Sequence, residues 1–149
     1  MPVSSNFLST CKKCKALCCS LVLPPVTKKE RNEILDMGFN DYFTNIGNGI
    51  YSIKPTKQGI CPYLKSDYSC KINKVKPKLC RIWPVIPRYK NDKRECIVIK
   101  CPIFSQISKS DLDQAKKESE TIPISIINHL WNISNDTKKK YKLFEYEKI

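Results

Sequence analysis

The sequence predicts a small single α+β domain whose short helices and hairpins are organised around a cysteine-rich metal site. Three observations predict it. Cys11, Cys14, Cys18 and Cys19 crowd four thiols into nine residues, and Cys61, Cys70, Cys80, Cys96 and Cys101 follow. Helix and hairpin signals are short and interspersed, with no alternation of long strands and long helices. The apolar share, 41% with nine cysteines counted in it, is thin for 149 residues, and mean hydropathy is −0.41. A core of that size needs help, and a closed thiolate site contributes on the order of 10 kcal/mol of folding free energy.

The elements follow in order. Thr27-x-x-Glu30 is a capping box that opens a helix over Lys28–Met37, and Gly38 stands where a glycine ends one. Asp41–Ile46 and Ile50–Lys54 flank Gly47-Asn48-Gly49, which predicts a hairpin. Residues 60–83 are broken by prolines and predict irregular structure with one helical turn starting at Pro77. Val85–Tyr89 and Cys96–Lys100, either side of Asn91-Asp92-Lys93, predict a second hairpin. Ser110-x-x-Asp113 opens a polar helix to about Glu120, and Pro123 begins another carrying Ile124, Ile127, Leu130 and Trp131 at 3/4 spacing. Residues 1–134 form the cysteine-cluster domain and 135–149 a charged tail that frays unless Leu143, Phe144 and Tyr146 pin it. There is no internal repeat and no Gly/Ser linker.

A secreted disulfide scaffold is the rival explanation of so many cysteines. It expects an even count and an apolar N-terminal signal, whereas the count is nine and the chain opens on a polar stretch. The location expected is therefore cytoplasmic. No run of 18 apolar residues is present, so no membrane span is expected.

Sulfur is also the main soft donor, because the chain has one histidine. His129 belongs to an apolar helix pattern and reads as core or surface. On a helix Cys11, Cys14 and Cys18 would fall within about 60° of one another, with Cys19 about 80° from Cys11. In a turn, Cys11-x2-Cys14 is a chelate pair. Either geometry sends Cys19 elsewhere, toward a second metal or the far side of one cluster. The other ligands come from Cys61, Cys70, Cys80 and one of Cys96 and Cys101. These last two are an odd number of residues apart and face opposite sides of a regular strand. Cys96, ahead of Ile97-Val98-Ile99, reads as a buried strand cysteine, and Cys101-Pro102 as a ligand loop.

Charge points the same way. The formal net charge is +13, and residues 65–100 hold eleven Lys and Arg against Asp67, Asp92 and Glu95. A tetrathiolate site carries a charge of about −2, so two would leave the chain near +9, still basic enough to attract acidic partners or nucleic acid. Nucleic acid has no motif behind it, since Trp83 and Tyr89 are the aromatics interleaved late in the basic stretch. Arg81, beside Cys80, is placed to neutralise thiolates or hydrogen-bond to sulfur, and Trp83-Pro84 to cover them. Asp111, Asp113, Glu118 and Glu120 read as a solvated face. The partner, protein or small molecule, is left open.

Cys-x2-Cys-x3-Cys-Cys, Cys61-Pro62-Tyr63-Leu64, Cys70-x-Ile72, Pro77, Cys80-Arg81 and Trp83-Pro84 together resemble the YkgJ family, the zinc- or iron-chelating cysteine-cluster proteins related to the cysteine region of flagellin lysine-N-methylases. The resemblance runs from Cys11 to about Cys101. It implies eight ligands, mapping onto Cys11, Cys14, Cys18, Cys19, Cys61, Cys70, Cys80 and Cys101. Where the family commonly has Ile-Tyr and Arg-Pro, this chain has Ile72-Asn73 and Lys76-Pro77. The methylases are considerably longer, so the resemblance implies the metal site more than the activity.

Three functions remain. An iron–sulfur protein, 4Fe–4S in the first instance, would serve redox or methyl-transfer chemistry, although radical S-adenosylmethionine and ferredoxin spacings are absent. A zinc-stabilised module would bind an acidic partner or nucleic acid, although only one Cys-x2-Cys knuckle is present. A metal chelator or carrier is the third.

Overall fold

The computed structural model describes residues 23–100, 104–132 and 146–149. Strand β1 (Pro25–Thr27) runs straight into helix α1 (Lys28–Asp36), followed by β2 (Phe43–Asn45) and β3 (Ile50–Ile53). The capping box forms as expected: Thr27 Oγ1 accepts the Glu30 N–H at 3.1 Å and Glu30 Oε1 accepts the Thr27 N–H at 3.0 Å. Gly38 ends the helix at φ +90°, donating to the Leu35 carbonyl at 2.9 Å. The hairpin forms too, with Phe43 opposite Ile53 and Asn45 opposite Tyr51. Gly47, Asn48 and Gly49 all sit at positive φ, a run that glycine and asparagine accept with least strain. β1 joins the far side of β3, making an antiparallel sheet in the order β1-β3-β2. Pro25 starts an edge strand, where its missing N–H is tolerated.

Helix α2 (Lys78–Arg81) is the single turn expected after Pro77, and a 3-10 turn at Asn73–Val75 precedes it. The second hairpin is longer than its sequence signal. Strands β4 (Val85–Lys90) and β5 (Lys93–Ile99) meet through a two-residue turn, Asn91 and Asp92, both at positive φ. That geometry matches the right-handed twist of the strands.

Helix α3 (Lys109–Ser119) starts two residues before the expected position, because its cap is Ser108, whose hydroxyl accepts the Asp111 N–H at 3.1 Å. Ser110 is already inside the helix. In α4 (Ile124–Asn132) the buried stripe is Ile126, Ile127 and Leu130, with Trp131 packed beside it, whereas Ile124 is 47% exposed. Ile126 therefore takes the place expected of Ile124. β6 (Tyr146–Lys148) pairs with β5, so the last residues are pinned in a sheet of order β4-β5-β6. Residues 135–145 of the expected tail lie outside those described.

Two hydrophobic clusters result. The larger joins β4 and β5 to α3 and α4 and reaches Leu79 and Ile82. The smaller is Ile34, Ile53, Tyr63 and Ile72. Among the described residues no helix is long and apolar enough to cross a membrane.

Candidate metal centre

Proline and turn residues keep 60–84 irregular, and this irregularity places the cysteines. The carbonyl of Cys61 accepts the Leu64 N–H at 3.1 Å, and Leu64 then forms an isolated antiparallel bridge with Cys70. The loop between them is closed by Lys65 N–H donating to the Ser69 carbonyl, with Tyr68 at φ +67° and Asp67 accepting from the Ser69 N–H. Cys61 and Cys70 both lie half-buried against the smaller cluster.

Tyr63 is the centre of that cluster. It is 1% exposed, its hydroxyl donates to the Asn40 carbonyl at 2.6 Å, and Tyr42 meets its ring edge-on at 5.3 Å. Burial pushes its phenol above the ordinary value. A buried aromatic with its hydroxyl satisfied is a rigid floor under the two thiols.

Cys80 sits half-buried on α2. Leu79 and Ile82, either side of it, are buried in the larger cluster, so the helix is nailed down on that face. Arg81 is half-buried, and its Nε is enclosed with no hydrogen-bond acceptor among the described residues. A buried guanidinium N–H normally has an acceptor. Trp83, which precedes a cis bond to Pro84, packs against the larger cluster.

Cys96 is elsewhere. It is 3% exposed within β5, in the larger cluster, with Sγ 3.0 Å from Ser119 Oγ. Cys11, Cys14, Cys18, Cys19 and Cys101 lie outside the described residues. His129 is half-buried on α4. Among the described residues, no three His, Cys, Asp or Glu side chains gather closely enough to hold a metal ion. The donor chemistry nonetheless fits a soft metal: three half-buried thiols, with an unsatisfied cationic donor next in sequence to the third.

Glu30, expected only as part of the capping box, has a second role in this region. Glu30 Oε2 accepts the Lys78 N–H at 2.7 Å, joining α1 to the start of α2. A capping box occupies one carboxylate oxygen and leaves the second available, but nothing local names its partner.

A family model described as "CxxCxxCC: Putative zinc- or iron-chelating domain" matches residues 10–102, well over half of the chain. Its name writes two residues between the second and third cysteines, where this chain has Lys15, Ala16 and Leu17. No curated protein and no solved structure matches. The matched span contains all nine cysteines, and on that match the chain belongs to the CxxCxxCC family of zinc- or iron-chelating domains.

Proposed function

We propose that the chain holds its metal through the thiolates of Cys11, Cys14, Cys18, Cys19, Cys61, Cys70, Cys80 and Cys101, as iron–sulfur chemistry of the 4Fe–4S type in which each cluster takes four of them. The observation that carries this reading is that Cys61 and Cys70 pack against one buried cluster inside the span matched to a metal-chelating family. The described residues, Cys80 among them, gather no group of three donors, so the assignment of Cys80, Cys101 and the N-terminal cysteine segment rests on the family match. Arg81 serves this centre by giving its buried N–H to a sulfur, which lowers the local negative charge and disfavours protonation of the ligand. A cluster would supply one-electron redox chemistry or support methyl transfer. The cytoplasm, where thiols stay reduced, is the compartment that suits it.

Anaerobic purification followed by metal and sulfide analysis and a visible spectrum tests the reading. Iron with acid-labile sulfide and broad visible absorption is expected. Stoichiometric zinc in a colourless protein would replace the cluster by a zinc-stabilised module, and a protein free of both metals would end the proposal.

The zinc reading has one observation of its own. Lys65, Lys71 and Lys74 are exposed beside Cys70, and the ion pairs found among the described residues involve Arg31, Arg88 and Lys148 instead. Such a basic face suits an acidic protein surface or nucleic acid, with binding that weakens as salt rises.

A further inference from the structure

Glu30 commits its two carboxylate oxygens to two distant stretches of backbone. Oε1 accepts from the Thr27 N–H at 3.0 Å and the Thr27 hydroxyl at 3.2 Å, fastening the point where β1 becomes α1. Oε2 accepts the Lys78 N–H at 2.7 Å, across 48 residues of chain. Helix α2 has no local means of satisfying that N–H, because the residue before it is Pro77, which carries no side-chain acceptor. The remote carboxylate takes the role of the missing cap.

Its place relative to the cysteines gives the contact a consequence. Lys78 lies two residues before Cys80, and Pro25 lies six residues after Cys19. The same helix α1 packs Ile34 against Ile72, which lies between Cys70 and Cys80. One carboxylate therefore ties the strand that follows the N-terminal cysteines to the turn that carries Cys80.

We infer that Glu30 is a positioning residue of the cysteine centre, holding Cys80 and Arg81 in register with the strand that follows the Cys11–Cys19 segment. The inference rests on the metal-binding reading above. If Glu30 were merely a helix cap, its loss would lower thermal stability and leave metal retention unchanged.

The test compares Glu30→Ala, Glu30→Gln and Thr27→Ala with the parent chain, each loaded with its metal. The readouts are metal transfer to a competing chromophoric chelator, at a temperature where circular dichroism shows each variant folded, and hydrogen exchange at the Lys78 amide. Thr27→Ala removes the capping hydroxyl and keeps the Glu30–Lys78 bond, so it controls for stability alone. Groups that orient metal ligands typically change metal affinity 10–100-fold, so Glu30→Ala is expected to speed metal release about ten-fold or more and to unprotect the Lys78 amide. Glu30→Gln, which keeps an amide oxygen, should fall between, and Thr27→Ala should release metal at the parent rate. Release from both Glu30 variants at the parent rate, with melting lowered as in Thr27→Ala, would overturn the inference and leave the metal reading intact. If Glu30→Ala fails to fold, Glu30→Gln decides alone: faster release supports the inference and parent-rate release overturns it. A parent chain that holds no metal sinks both.

Discussion

At the scale of single residues the nine cysteines are not equivalent. Cys96 lies in the β-sheet core with its sulfur against Ser119 Oγ, and that hydroxyl in turn donates to the Lys116 carbonyl. Its neighbours along β5, Ile97, Val98 and Ile99, are all at most 1% exposed. Cys14→Ser is expected to abolish metal binding, because a hydroxyl is a poor ligand for soft metals. Cys96→Ser should keep full metal content and lose about 1–3 kcal/mol of stability, the cost of a more polar group in an apolar site. Metal analysis and denaturant titration of the two variants separate the roles. Lost metal in Cys96→Ser with full metal in Cys101→Ser would reverse the assignment of the eighth ligand. That Cys96 is a buried strand residue was legible from Ile97-Val98-Ile99 alone. The reach of Glu30 to Lys78 was not, since nothing within 48 residues of sequence announces a tertiary hydrogen bond.

Among the elements, the helix cap at α3 shows where local reading stops. Ser108-x-x-Asp111 and Ser110-x-x-Asp113 are the same pattern two residues apart, and each would start a helix equally well. The structure uses Ser108 as the cap, and the helix buries Ala115 and Ser119, four residues apart on one face. Ser108→Ala is therefore expected to cost about 0.5–2 kcal/mol. Ser110→Ala should stay within about 0.5 kcal/mol of the parent. Thermal or chemical melting of the pair checks it. Both hairpins and α1 were legible because their signals are turn glycines, asparagines and a capping box, whose chemistry is local. β1 and β6 were not, because three residues are too few to show a period of two and pairing supplies what pattern lacks. β6 is also held electrostatically: Lys148 Nζ lies 3.1 Å from Glu95 Oε2, and Arg88 Nε binds the other oxygen. Lys148 and then Arg88 hold the Glu95 carboxyl below its ordinary 4.5. The stabilisation is complete above that pH and is lost as pH falls through the lower folded value. Amide protection of residues 146–148 should thus decline in acid, and Glu95→Gln should remove the pH dependence along with part of the protection.

Across the whole molecule the two hydrophobic clusters are unequal, and Cys61 and Cys70, two of the cysteines proposed as ligands, pack against the smaller one. The larger cluster combines a three-stranded sheet with α3 and α4, and the cysteine it buries is Cys96. The smaller has four fully buried side chains, with Leu23, Phe39, Phe43, Cys61, Cys70 and Val75 half-buried around them. Ordering each residue costs about 1–2 kcal/mol of backbone entropy. Burying a Leu- or Ile-sized side chain returns only about 1.5–3 kcal/mol. Four such side chains leave the irregular stretch 54–76 weakly held, so it gains most from a thiolate centre, which contributes on the order of 10 kcal/mol. Chelation under reducing conditions should therefore act unevenly. Amides of Leu64, Lys65 and Lys71, whose hydrogen bonds lie in that stretch, should lose protection first. Amides of β4 and β5 should stay protected, and the single cooperative transition expected of the metal-loaded domain should broaden or split as the two halves uncouple. Hydrogen exchange read residue by residue, before and after verified metal removal, decides the matter. Equal loss in both halves would mean that the metal supports the whole fold, and an unchanged pattern would mean that the centre carries no structural load.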